Sequence, residues 1–209
     1  MSILVLTSDT LIGTAAAGNI EYSSPIFTGT PIGTQRGIVP TQQYYRLDSA
    51  LVGANAATTQ NIFGVGVTLS ASTVYEFEMV AALSKSAGTT SHSFGFGFGG
   101  TATLNNIGFL VSGSSQSSSF APLAAGGNMI QQWIAGAGNT NVNTGITSAA
   151  FYNYAVIKGT VSINAGGTFI PQYTLSAAPG GAYTTSIGSY IRINPLSASG
   201  AATNVGTWA

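Results

Sequence analysis

The strongest constraint on this chain is the alternation of short apolar runs with turn-forming clusters. Gln43–Leu47, Ile62–Leu69, Thr73–Leu83, Ser91–Phe98, Ile107–Val111, Asn128–Ile134, Phe151–Ile163, Thr168–Leu175 and Tyr183–Ile193 are rich in β-branched and aromatic residues. Two shorter runs, Ile3–Leu6 and Thr203–Trp208, lie outside them. Gly, Pro, Ser and Asn gather between the runs, at Ser86–Thr90, Gly99-Gly100, Ser112–Ser119, Gly136–Gly145, Ala165–Gly167 and Ala178–Gly181. Many short strands punctuated in this way predict an all-β chain, an antiparallel β-sandwich of jelly-roll-like form. Asp48–Thr58 carries the one helical signal, Ala-rich with Asp48 or Ser49 as N-cap, and Gly53 weakens it.

Residues 1–40 have another texture. Gly13, Gly18, Gly29, Gly33 and Gly37 fall there with Pro25, Pro31 and Pro40, and few positions alternate. The expectation is an extended N-terminal arm over 1–40, lying on a partner or neighbouring subunit, followed by the sandwich over 41–209.

Charge decides which functions such a sandwich can serve. Charged residues make up 5% of the 209, with five Lys+Arg against five Asp+Glu, where an average globular chain carries roughly 25%. Five cations cannot build the basic surface that displaces counterions from nucleic acid. With no Cys, disulfides and thiolate metal sites are excluded. No carboxylate side chain follows Glu78, so acid–base chemistry has few candidates and the chain is expected not to be an enzyme, with no cofactor, no metal and no catalytic residue. The opening apolar run is too short and lacks the basic flank of a secretory signal, and no apolar stretch is long enough to span a bilayer. A soluble chain made in the cytoplasm, without membrane insertion, is expected. A neutral surface lacks the repulsion that keeps monomers apart, which suits a closed assembly exposing hydroxyls and amides.

Four motifs need a decision. Gly95-Phe-Gly-Phe-Gly-Gly100 satisfies a dinucleotide-loop pattern, but that mechanism requires a following helix and an acid about 20 residues on, and neither follows. In a strand, Phe94, Phe96 and Phe98 share a core face while the glycines leave the other face bare, open to the close approach of another backbone, as at a subunit axis. These three are the candidate trimer contact. Glu76 and Glu78 share a strand face as a glycosidase pair would, yet adjacent acids more often lie in solvent or pair with Arg. His92 lacks neighbouring ligands and is expected at a turn or strand edge. The loops 112–119 and 136–145 are uncharged, and Tyr44, Tyr45, Tyr152, Tyr154, Tyr173, Tyr183, Tyr190 and the two Trp either stack on carbohydrate or fill the core.

Ala17-Gly-Asn-Ile-Glu-Tyr22, with Phe27 and Arg36-Gly-Ile-Val-Pro40, resembles a segment of tailed-bacteriophage virion structural proteins of the capsid-decoration and fibre-like kind. Phe63-Gly-Val-Gly-Val-Thr-Leu69 with Gly99-Gly-Thr-Ala-Thr-Leu104 is similar to the same group. So are Thr168–Gly181, Gly188-Ser-Tyr-Ile-Arg-Ile193 and Gly206-Thr-Trp208. The resemblance implies a trimeric jelly roll displayed on a virus particle after assembly in the host cytoplasm. This chain has no heptad shaft, which favours a homotrimeric capsid decoration (cement) protein that binds the phage major capsid protein and stabilises the shell. Its capsid-binding arm would present Ile20, Tyr22, Phe27, Arg36 and Val39. The alternative is a tail or head fibre tip that binds a host-surface glycan.

Overall fold

A computed structural model of the chain describes residues 6–117, 127–200, 202, 204–206 and 208. Its described residues are all-β, with antiparallel sheets packed face to face, as the alternating runs predict. Strands β1 (Ile20–Ser23), β2 (Ile26–Ile32) and β3 (Gln35–Ile38) form a small sheet by themselves. Next come β4 (Gln43–Arg46), β5 (Leu51–Val52), β6 (Thr59–Asn61), β7 (Val67–Leu69), β8 (Thr73–Lys85) and β9 (His92–Gly99). The rest are β10 (Thr103–Gln116), β11 (Asn128–Ala135), β12 (Thr140–Ile146), β13 (Phe151–Ala165), β14 (Gly167–Leu175), β15 (Thr184–Thr185) and β16 (Tyr190–Ala198).

The eight-stranded sheet runs β11-β10-β13-β8, and beyond β8 it continues through β16 to β4 and through β15 to β5. The five-stranded sheet runs β12-β9-β14-β6, with β7 also on β14. From β8 onward the chain passes back and forth between the two sheets. Along β8, Tyr75, Phe77, Met79, Ala81 and Leu83 are buried and Glu76 is exposed, the period-two burial of a strand with one face on a core. Phe77 and Phe109 from the large sheet meet Phe98 and Phe169 from the small one, with Phe98 and Phe169 stacked at 4.7 Å and Phe77 edge-on to Phe98 at 5.0 Å. Burying each ring contributes roughly 1.5–3 kcal/mol relative to exposure.

Several expectations are revised. Residues 20–38 close into an antiparallel three-stranded sheet, with a cis Ser24-Pro25 peptide at its first turn, where an extended arm was expected. Glu21 and Arg36 explain why this stretch folds back. Arg36 Nε donates to Glu21 Oε2 at 2.8 Å, and its Nη2 reaches both Glu21 Oε1 (3.2 Å) and the Ile12 carbonyl (2.7 Å). Asp48–Thr58 contains β5 and no helix. Of Ile62–Leu69, only Val67–Leu69 is strand. The run Ile107–Val111 extends to Thr103–Gln116, taking in serines read as a loop, and Thr140–Ile146 within the Gly/Asn cluster is β12. Residues 3–5 of the first short run, Ser118 and Ser119, and Thr203 and Thr207 of the last run lie outside the described residues.

Candidate functional site

Two surfaces and one polar interior stand out. On the outer face of the large sheet, one residue from each strand lines up across six strands: Trp133, Leu110, Lys158, Glu78, Arg192 and Tyr44. Cross-strand neighbours of this kind touch and set the character of a sheet face. Glu78 sits between two cations, 2.7 Å from Lys158 Nζ and 3.1 Å from Arg192 Nη2, and accepts a hydrogen bond from the Tyr190 hydroxyl at 3.0 Å. The bond from Lys158, then those from Tyr190 and Arg192, outweigh burial and hold the carboxyl down at about 2. It therefore cannot deliver a proton near neutrality, which removes it as the general acid of a glycosidase pair. Glu76 on the same face is exposed.

Around this ion-paired triad the face exposes several large apolar side chains. Met129 is 71% exposed, Trp133 65%, Tyr44 56%, Tyr154 44% and Leu110 36%. Trp133 lies across Gly108, where a Cβ would come within 2.6 Å of its ring. Strand β11, which supplies Met129 and Trp133, is an edge of its sheet and contains neither charge nor proline, the devices that usually blunt an edge.

The second feature is a cavity of about 470 Å³ at the end of the sandwich. Ser115–Ser117 at the end of β10, Asn128 and Met129 at the start of β11, residues 142–148 and Phe151 line it. The two uncharged segments singled out in sequence thus meet at one place, through their described parts. Ser115 Oγ donates to Asn143 Oδ1 at 2.8 Å, and Asn143 Nδ2 has no hydrogen-bond partner among the described residues. Asn153 stands beside Ser115 in the ladder, wholly buried, with both amide atoms unpartnered. Leaving such groups unpaired in the interior costs about 1–3 kcal/mol each.

The same end of the core holds a buried lysine and a buried histidine. Lys85 is 3% exposed, and its Nζ donates to the carbonyls of Gly88 (2.8 Å), Ala149 (3.1 Å), Ala87 (3.3 Å) and Ser148. Burial pulls its pKa down. His92 is at the start of β9 and 2% exposed, so it is a core histidine where a turn or strand-edge one was expected. Its Nδ1 lies 2.7 Å from the Thr90 carbonyl and its Nε2 2.9 Å from the Tyr183 hydroxyl. A carbonyl can only accept, so Nδ1 carries the proton, Nε2 accepts, and Tyr183 donates. Burial lowers the His92 pKa; the Thr90 bond opposes this and the Lys85 charge adds to it.

Phe94, Phe96 and Phe98, the expected trimer contact, are instead inside the core of their own chain, at 0%, 0% and 5% exposure. Phe94 stacks on Tyr173 at 5.4 Å and Phe98 on Phe169. The glycine face of β9 does admit a close backbone, but that backbone is intramolecular. A Cβ at Gly95 would lie 2.7 Å from the Thr140 carbonyl oxygen, and one at Gly97 2.8 Å from Asn139 Cα. No family, curated protein or solved structure matches this chain.

The five residues expected to bind a capsid are distributed over the small sheet. Ile20 (68% exposed) and Val39 (41%) face outward, Tyr22 stacks on Phe27 at 4.5 Å, and Arg36 is engaged with Glu21. Ile20 pairs with Gly29, and Val39 reaches Gly29 too, so these two flank the same strand. Among the described residues no three His, Cys, Asp or Glu side chains gather to hold a metal ion, and no helix is long and apolar enough to cross a membrane.

Proposed function

We propose that this chain is a structural protein of a tailed-bacteriophage particle, a homotrimeric decoration protein that binds the outer surface of the shell and stabilises it without catalysis. The resemblance in sequence supports the virion assignment, and one structural observation supports assembly. The outer face of the large sheet exposes Trp133, Met129, Tyr154, Leu110 and Tyr44 around an ion-paired cluster of Glu78, Lys158 and Arg192. Interface centres are enriched in aromatic residues and Met, and exposed apolar surface mixed with polar groups is what such sites present. Copies meeting through this face bury those side chains and leave the small sheet's Ile20 and Val39 for the shell.

Sedimentation velocity on the purified chain tests the assembly. The trimer is expected for the wild type, and the double variant Trp133→Glu/Tyr154→Glu is expected to sediment as a folded monomer. A wild-type monomer at all concentrations overturns the reading. At the level of the particle, quantitative peptide mass spectrometry is expected to find a copy number comparable to the shell protein. A few copies per particle would indicate a fibre component, and absence would end the virion assignment.

A further inference from the structure

We infer that the end of the sandwich built by residues 86–91, 147–150 and 176–183 is an acid-released latch, closed while His92 is neutral and opened by its protonation. These three segments connect β8 to β9, β12 to β13 and β14 to β15, and of their residues only Tyr183 belongs to the core cluster. They are fastened instead by two buried nitrogen groups and by one another. Lys85 Nζ gathers the carbonyls of Ala87 and Gly88 from the first segment and of Ser148 and Ala149 from the second. His92 joins the Thr90 carbonyl of the first to the Tyr183 hydroxyl of the third. The first and third also meet backbone to backbone. A Cβ at Gly88 would collide with the Pro179 carbonyl, and one at Gly181 with the Ala87 carbonyl.

The fastening works only with a neutral imidazole. In the closed end Nδ1 donates to Thr90 and Nε2 accepts from Tyr183. A proton on Nε2 makes both ring nitrogens donors, and the Tyr183 hydroxyl must give up the bond it donates. Tyr183 is 0% exposed, so water does not replace that bond while the end stays closed. The titratable groups facing His92 are Tyr183, with Tyr173 of β14 behind it, and Lys85 of β8, whose ammonium opposes a second positive charge. None of them is a carboxylate, so an imidazolium here carries the cost of a buried charge without a counter-ion.

Opening the end relieves both penalties by admitting water to the imidazole and the phenol. It also sacrifices little, because segments held by polar contacts with few buried apolar side chains are where proteins open locally. The central strands β8, β10 and β13 carry Phe77, Phe109 and Ile157 in the core and stay paired. The released state therefore uncovers the edge of the aromatic cluster, where Tyr183 meets His92 and Phe94, on an otherwise intact sandwich. The latch does not depend on how copies assemble, so its failure leaves the decoration reading where it stands.

Amide hydrogen exchange followed by NMR on the full chain tests this from about pH 7.5 to about 4.5, above the window in which Glu78 titrates. The Gly53 amide, bonded to the Tyr183 carbonyl at 2.8 Å, and the Gly180 amide, bonded to Asn55 Oδ1 at 2.9 Å, report on the third segment. Relative to their chemical rates, both are expected to exchange about tenfold faster for each pH unit below 6.5 until the closed-state pKa is passed, the slope of one proton taken up on opening. Dilute urea should barely change these rates while it speeds exchange in β10 and β13, because a local opening exposes little surface. In His92→Gln both amides should exchange faster throughout, with no pH dependence beyond the chemical rate. A flat wild-type profile, a slope retained in the variant, or a urea dependence equal to that of β10 and β13 overturns the latch. The two wild-type readouts decide the matter even if the variant does not fold.

Discussion

His92 gives the sharpest pH dependence that can be attributed to one side chain. In the folded chain its pKa lies below the usual 6.5 because burial penalises the cation. As pH falls below 6.5, the unfolded chain therefore takes up a proton before the folded one does, and stability falls until the folded-state pKa is passed. The Glu78 carboxyl acts in a separate window: its stabilisation is complete above the usual 4.5 and is lost as pH falls toward about 2. The unfolding temperature should thus drop between pH 7.5 and 5, and His92→Gln should flatten that slope. The variant should also be less stable at pH 7.5 by about 1–3 kcal/mol, because a single carboxamide does not span the Thr90 carbonyl and the Tyr183 hydroxyl as the two ring nitrogens do. An unchanged slope, followed by differential scanning calorimetry, would place the titration elsewhere. The sequence marked His92 as the sole imidazole but not as buried, since its partner Tyr183 is 91 positions away. Phe94, Phe96 and Phe98 were legible as a core face because alternation is local. Whether that core was intramolecular or shared between subunits depended on Tyr173 and Phe169, which alternation in β9 does not encode.

The same division between local and distant information governs whole elements. Most long strands were readable from Val, Ile, Tyr and Phe at alternate positions. The second half of β10 was not, because Ser112-Gly-Ser-Ser-Gln116 has the composition of a linker. It is a strand because β13 pairs with it on one side and β11 on the other, residue for residue through Ser115; tertiary context outweighs weak β propensity. Gly113 is part of that reason, since a Cβ there would collide with the Tyr154 carbonyl of β13. Proline distinguishes a ladder from a loop. Ser114→Pro would remove an N–H in a strand flanked on both sides and should destabilise the chain by about 3 kcal/mol or more, whereas in a solvated connector it would be nearly neutral. Urea unfolding followed by Trp fluorescence measures the difference, and a change below 1 kcal/mol, roughly the surface-substitution range, would contradict the paired strand. The cavity is half visible in the same way: both uncharged segments stand out in the sequence, but only the sheet order brings β10 and β12 to a common end.

For the molecule as a whole, the question is whether the small sheet and the sandwich are separable. Among the described residues the sandwich core cluster begins at Leu47 and includes none of 6–40, although Ala15 and Ile26 are themselves buried. Glu21, Arg36 and the Ile12 carbonyl bond among themselves, so the small sheet is held by its own polar cluster and by the Tyr22–Phe27 stack. Its contact with the rest runs along β16 and Asn204, Val205 and Gly206, around a cavity of about 360 Å³ lined by Leu11, Pro25, Ile26 and Leu196 among others. A chain lacking residues 1–40 should therefore keep its sandwich and its unfolding cooperativity and, on the proposed reading, the trimer, because Trp133, Tyr154 and Met129 all lie beyond the cut. What it should lose is binding to shells stripped of the protein, measured by co-sedimentation with purified particles. If the truncated trimer still binds, the shell contact lies on the sandwich and Ile20 and Val39 have no part in it. If the truncated chain no longer folds, the small sheet supports the sandwich through β16. The decoration reading would then need point substitutions such as Ile20→Lys, which alters an exposed side chain without removing the sheet.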